Sequence, residues 1–339
     1  MKLAIVLFNL GGPDCPEAVQ PFLRNLFSDR AIIGLPAIFR LPLARFIAWR
    51  RAPVAREIYA QIGGRSPIFE ETRKQADALE AALSQDGVEA RAFVAMRYWH
   101  PFSDGAVRAI KAFDADKIVL LPLYPQYSTT TTASSLQDWA QAAKKAGLNT
   151  PTSQICCYST QSGFIAAAAA HIREAMAGAR SDISYRLLLS AHGLPKRVIQ
   201  KGDPYQRQVE QSAAAIVAAL AMPGLDSQVC YQSRVGPLEW IGPSTDDEIR
   251  RAGAQGKGVI IAPVAFVSEH SETLVELDIE YRKLAGEAGV PDYRRAATAG
   301  IHPGFIAGLA GLVRRALVTE IVAGEPGGCT VGLCGCRKN

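Results

Sequence analysis

The feature that most limits what this chain can fold into is a repeat of three landmarks, each an apolar run ending in a glycine or proline loop. Residues 4–13 read AIVLFNLGGP and residues 186–195 read RLLLSAHGLP, so that Gly11 faces Gly193, Pro13 faces Pro195 and Leu10 faces His192. Residues 92–110 (AFVAMRYWHPFSDGAVRAI) and 229–251 (VCYQSRVGPLEWIGPSTDDEIRR) each run from an apolar stretch through an arginine and aromatics into a helix start. Ser103 or Asp104 would cap the first of these helices and Ser244 or Thr245 the second. Residues 117–127 (KIVLLPLYPQY) and 258–268 (GVIIAPVAFVS) each carry a proline late in an apolar run, Pro122 and Pro263, and continuing without a gap sets Thr131 opposite Glu272.

Each half therefore reads strand, helix, strand, helix, strand. Strands that are apolar on both sides belong to parallel sheets covered on both faces. The expectation is an α/β chain of two similar doubly wound, Rossmann-like domains with parallel sheets. Residues 1–150 form the first, 151–322 the second, and 323–339 a cysteine-bearing tail. The length of 339 residues suits two domains, and 48% apolar with 20% charged residues suits packed cores rather than disorder. The first half is longer mainly by residues 31–59, apolar and basic by turns and interrupted by Pro36, Pro42 and Pro53. It reads either as an insertion helix pair packed on its own domain or as a lip over a ligand or membrane surface. In the lip reading Phe39, Phe46, Ile47 and Trp49 insert while Arg45, Arg50 and Arg51 meet headgroups.

A net charge of +5 without a basic stripe argues against nucleic acid as a partner. The run Leu3 to Leu10 leads straight into Gly11-Gly12-Pro13-Asp14, which favours a buried strand over an export signal, and no apolar run is long enough to span a bilayer. Gly11-Gly12-Pro13 is not a dinucleotide fingerprint, and Gly63-Gly64-Arg65-Ser66-Pro67 is a turn with Ser66 as a helix cap rather than a phosphate loop. An odd count of seven cysteines points to a reducing, cytoplasmic compartment, where clustered thiols suggest a metal before a disulfide. Cys15 and Cys230 read as buried core residues.

Doubly wound sheets bind ligands at the carboxyl ends of their strands. The loops there carry Leu10, Arg97, Tyr98, Trp240 and Phe266, a mostly aromatic and apolar set that suits a large flat ligand. His192 and Glu272 stand out because the other half has Leu10 and Thr131 in their places. Imidazole and carboxylate together can hold a divalent metal or move protons. Glu272, Glu276 and Glu280, four residues apart, would line one helix face as either a solvated ridge or a cation path.

At these residues the chain resembles the ferrochelatase family over nearly its whole length. The matching strings are NLGGP at 9–13, GGRSPI at 63–68, RYWHP at 97–101, LPLYPQYSTTTTAS at 121–134 and SAHGLP at 190–195. They continue with GDPY at 202–205, YQSRVGPLEWIGPSTDDEI at 231–249 and FVSEHSETLVELDIEY at 266–281. The resemblance implies a chelatase-like fold and insertion of Fe²⁺, as substrate, into protoporphyrin IX to form haem with loss of two pyrrole protons. It assigns His192 and Glu272 to proton removal or metal delivery, Glu276 and Glu280 to an acidic metal path, and Leu10, Arg97, Tyr98, Trp240 and Phe266 to the porphyrin site. A peripheral contact with the inner membrane would follow from the lip reading; oligomeric state is left open. The tail pattern of Cys329, Cys334 and Cys336, with Cys157 or Cys156 as an internal fourth, resembles the set that holds a [2Fe–2S] cluster in some members. The C-x₄-C-x-C spacing departs from the animal enzymes, and zinc is the other reading. Competing functions are a chelatase for coproporphyrin or another tetrapyrrole and metal, and a porphyrin carrier without catalysis.

Overall fold

The computed structural model describes residues 1–84, 87–234, 236 and 238–323. Its first sheet has five strands in the order β2-β1-β3-β4-β9, namely β1 (Lys2–Asn9), β2 (Glu89–Met96), β3 (Lys117–Pro122), β4 (Thr152–Cys157) and β9 (Ile321–Ala323). The second has four in the order β6-β5-β7-β8, namely β5 (Tyr185–His192), β6 (Ser227–Gln232), β7 (Gly258–Pro263) and β8 (Tyr293–Arg295). The pairs β1–β2, β1–β3, β3–β4, β5–β6, β5–β7 and β7–β8 are all parallel. The central strands β1, β3, β5 and β7 are buried almost end to end, which is why they read as unbroken apolar runs. The first strands of each half thus lie in the same relative order, β2-β1-β3 and β6-β5-β7.

Register agrees with the repeat. Phe8 pairs with Pro122 and Ser190 pairs with Pro263, which places Leu10 and His192 at equivalent points two residues further on. Helices fill the crossovers: α3 (Ile68–Ser84), α4 (Ser103–Phe113) and α5 (Thr132–Ala146) in the first half, then α6 (Ser162–Ala177), the short α7 (Lys196–Gln200), α8 (Tyr205–Leu220) and α9 (Thr245–Ala254). Ser66 Oγ accepts the Ile68 amide at the start of α3, and Ser244 Oγ accepts the Asp247 amide at the start of α9, as capping chemistry requires. Ser103 does not cap α4. Its hydroxyl instead donates to Asp138 at 2.6 Å, and Phe102 occupies the cap position.

The division into compact units departs from the boundary expected at residues 150 and 151. Among the described residues, one unit comprises 1–124, 128–156 and 310–322, and the other comprises 125–127, 157–309 and 323. The reason is strand pairing. β4 pairs with β3, Ile118 opposite Thr152, and so adds to the first sheet rather than opening the second. The end of α11 (Pro303–Val318) and the strand after it also return to the first unit, where Leu317 O accepts from Lys117 Nζ and Glu320 O from the Gln154 amide.

The insertion is a single helix, α2 (Ala37–Ala60), preceded by α1 (Val19–Ser28), rather than a helix pair. Pro42 and Pro53 both lie inside it. A helix-interior proline costs about 3 kcal/mol, and tertiary packing offsets that cost here. Ala44, Ala48 and Ala52 form a buried stripe at four-residue spacing, and Ala48, Ala52 and Tyr59 share an apolar cluster with Val19, Phe22 and Leu23 of α1. The other faces leave Ile38, Phe39, Phe46 and Trp49 exposed among exposed Arg45, Arg50 and Arg51, with Ile47 half-buried. Among the described residues no helix is long and apolar enough to cross a membrane. Cys230 is buried as expected, but Cys15 is exposed, because it precedes the first turn before α1 rather than lying in a core strand. Cys329, Cys334 and Cys336 lie outside the described residues.

Candidate active site

Strand β5 delivers His192 to its carboxyl end because Leu187, Leu188, Leu189 and Ala191 are fully buried while the strand's last residue is only half-buried. The next residue must be glycine. A Cβ on Gly193 would lie 2.9 Å from the Gln232 carbonyl oxygen and 3.3 Å from the Trp240 ring. That close approach lets the Gly193 amide donate to Gln232 O at 2.8 Å and holds Trp240 beside the His192 loop, where Trp240 also bridges to Pro195.

Glu272 comes from the far side of β7. It opens a nine-residue π-helical segment, Glu272–Glu280, that runs into α10 (Tyr281–Glu287). Wide π turns are uncommon and concentrate at functional sites. His192 Nδ1 lies 2.9 Å from Glu272 Oε2. A carboxylate oxygen can only accept, so Nδ1 carries the proton and the Nε2 lone pair is left to take another or to bind a cation. Burial favours neutral imidazole, but the charge and hydrogen bond of Glu272, with Glu276 nearby, outweigh it and raise the His192 pKa. Burial likewise opposes ionisation of Glu272, yet His192 and then His270 hold its carboxyl well below the usual carboxylate range.

His270 is a member of this group that the sequence reading passed over. It is buried, its Nδ1 lies 3.1 Å from the Ser268 carbonyl, and its Nε2 is 3.9 Å from Glu272 Oε2. The ring packs against Phe266 with centroids 4.7 Å apart, so Phe266 and Glu272 share one neighbour. Its only signal in the sequence was a position two residues before Glu272.

Glu276 is also beside the pair, but its oxygens are engaged. They accept from Gln232 Nε2 at 3.0 Å, from the Ser233 amide at 2.7 Å and hydroxyl at 2.5 Å, and from Tyr281 OH at 3.2 Å. Ser233 holds φ of +61°, a strained left-handed conformation for a residue with a Cβ, and both its donors point at this one carboxylate. Burial, then the charge of Glu272, raises the Glu276 pKa. Glu280, at the end of the π-helical segment, is exposed. The structure thus brings Glu276 to the His192–Glu272 pair and leaves Glu280 facing solvent.

Of the remaining candidates, Leu10, Arg97 and Tyr98 lie in the first unit and Cys157 in the second. Tyr98 N donates to Leu10 O at 2.9 Å, joining the ends of β1 and β2. Tyr98 is buried, Leu10 is half-buried, and the Arg97 guanidinium lies 5.0 Å from the Tyr98 ring centroid. Gly11 turns the chain there with φ of +81°, and a Cβ on it would press on Met96 and Trp99 at 3.1 Å. Cys157, at the end of β4, is buried, and Gln208 Nε2 donates to its sulfur at 3.6 Å.

A profile of the ferrochelatase family matches residues 2–317. A ferrochelatase of Caulobacter vibrioides is 56% identical over 338 residues, covering 99% of this chain and 94% of the relative. One from Phenylobacterium zucineum is 56% identical over 345 residues, covering 100% and 99% respectively. Among solved structures, SirB from Bacillus subtilis with Fe³⁺ superposes with a TM-score of 0.53 at 15% identity, covering 93% of this chain and 96% of that one, a likeness of fold alone. With a full-length profile match and relatives more than half identical, this chain belongs to the ferrochelatase family.

Proposed function

We propose that the chain inserts ferrous iron into protoporphyrin IX, with His192 as the group that takes a pyrrole proton and Glu272 as the carboxylate that stabilises the resulting imidazolium. The 2.9 Å contact between His192 Nδ1 and Glu272 Oε2 carries this reading, since it sets the tautomer and leaves Nε2 as the acceptor. In the balanced reaction Fe²⁺ replaces two N–H protons, and both leave as H⁺ while iron and porphyrin keep their oxidation states. Metallation needs the macrocycle bent so that its nitrogens open toward the metal. Binding energy from the flat periphery, through Leu10, Arg97, Trp240 and Phe266, with the buried Tyr98 stacked against Arg97, is what supports such strain. Glu272 and His192 also offer the oxygen and nitrogen donors that receive the substrate iron. Glu280 is the exposed outer end of an acidic route, and Glu276 is its fixed middle.

Two further parts of the proposal concern the rest of the chain. Cys157 with Cys329, Cys334 and Cys336 would supply the four thiolates of a [2Fe–2S] cluster; the buried Cys157 sulfur and its Gln208 donor support Cys157 over Cys156 as the internal ligand. Visible absorption of the purified protein, lost in Cys157→Ser, tests that. The exposed apolar and basic faces of α2 would touch the cytoplasmic surface of the inner membrane. Loss of vesicle co-sedimentation in the Phe46→Ser, Trp49→Ser variant tests that.

The central test is anaerobic. Protoporphyrin IX and Fe²⁺ are added to the purified protein, and porphyrin fluorescence and haem absorbance are followed. Loss of fluorescence with haem appearing supports the proposal. Conversion of coproporphyrin in preference would move the substrate. Binding without conversion of either, with any metal tried, would replace the enzyme reading with a carrier.

A further inference from the structure

Asp29 lies one residue beyond α1, and its side chain is only 8% exposed. Its carboxylate is crowded with donors. Oδ2 accepts from Arg97 NH2 at 2.9 Å, Tyr98 OH at 2.9 Å and Ser134 Oγ at 2.5 Å, and Oδ1 accepts from the Ala31 amide at 2.9 Å. Ser134 completes a ring by accepting from Arg97 Nε at 2.7 Å. Asp138 stands 3.5 Å from Arg97 NH1. Burial works against the Asp29 charge, but these hydrogen bonds and Arg97 outweigh it and hold the carboxyl below its usual range.

We infer that Asp29 is a positioning residue for porphyrin binding, acting by fixing the Arg97 guanidinium and the Tyr98 ring in one orientation. The inference rests on the reading above that Arg97 contacts the macrocycle; Tyr98, itself buried, is the ring on which Arg97 is stacked. A free arginine side chain has several rotatable bonds, and ordering it on a ligand costs affinity. Here that ordering is complete beforehand. One carboxylate grips both adjacent side chains, and Ser134 closes the remaining freedom at Nε. With Asp29 beside it and Asp138 near it, the guanidinium is also neutralised in place. It therefore serves as a rigid, flat donor surface stacked on Tyr98 rather than as a mobile counter-ion. The alternative role for Asp29 is to tie the start of the insertion to the fold with no bearing on ligand.

The test compares Asp29→Ala, Asp29→Asn, Arg97→Ala and the double variant Asp29→Ala, Arg97→Ala in the anaerobic assay, with KM for protoporphyrin IX and for Fe²⁺ measured separately. Asp29→Ala should raise the porphyrin KM about tenfold, leave the iron KM within about twofold, and add less than about twofold once Arg97 is already alanine. Asp29→Asn keeps the shape and loses the charge, so it should fall between wild type and Asp29→Ala, and it carries the same criteria if the alanine variant does not fold. Equal effects of Asp29→Ala with and without Arg97, or a lower melting temperature with an unchanged porphyrin KM, would overturn the inference. An unchanged porphyrin KM in Arg97→Ala alone would instead remove Arg97 from the porphyrin site, and the inference would fall with that reading.

Discussion

Replacing His192 with alanine separates chemistry from folding, because the structure gives the two effects very different sizes. His192 is 37% exposed and Glu272 28%, so water reaches both. An ion pair this open contributes at most about 1 kcal/mol to stability. For a chain of this size that corresponds to a fall of about 2 °C in melting temperature. The Glu272 carboxylate left behind still has His270 3.9 Å away. The rate is another matter. Removing a general base typically costs about 10²–10⁴ in rate, equivalent to about 3–5 kcal/mol of barrier, well beyond the stability change. The assay follows haem formation anaerobically, with porphyrin affinity taken from fluorescence quenching and folding from the thermal melt. We expect the rate to fall at least 100-fold, with porphyrin affinity and melting temperature close to wild type. Activity above about a tenth of wild type would show that His192 is not the essential base. A rate loss that tracked loss of porphyrin binding would place His192 in binding instead.

Three other outcomes follow from particular contacts. The charge of Glu272 raises the His192 pKa, and the base must be neutral to act, so kcat/KM should fall as pH drops through a value above 6.5. Glu272→Gln removes that charge, leaves burial to lower the pKa, and should move the acid limb to lower pH; movement to higher pH would refute the sign. Gly193→Ala sets a Cβ 2.9 Å from Gln232 O and should destabilise the second unit by about 1–3 kcal/mol in a denaturant melt, with activity reduced because His192 is its neighbour. Arg186 is buried between Asp226, bonded at 2.9 Å, and Glu248 at 3.8 Å, so Arg186→Ala should cost about 3–5 kcal/mol of stability, and a change under about 1 kcal/mol would show that water compensates the pair.

The fold was legible where local rules act alone. Buried parallel strands must be apolar throughout, so β1, β3, β5 and β7 announced themselves, and Gly11, Gly193, Pro122 and Pro263 marked their ends. The contrast of His192 with Leu10 was visible for the same reason, since equal register puts them at equal depth. The continuity of α2 was not legible. Proline predicts a break from the local backbone, and only packing of the alanine stripe on α1 offsets it.

What the sequence determined by itself is the set of elements, the repeat and the two residues that break it. Which sheet β4 joins, and the return of residues 310–322 to the first unit, were decided by the tertiary structure, because an apolar strand fits either sheet and only its partner distinguishes them. The same holds at the site. The π-helical winding after His270, the strained Ser233 that engages Glu276, and the grip of Asp29 on Arg97 and Tyr98, 68 and 69 residues away, each depend on groups far apart in the chain. Periodicity and propensity act over one or two turns, whereas a carboxylate's partners are chosen by whatever the folded chain brings within 3 Å of it.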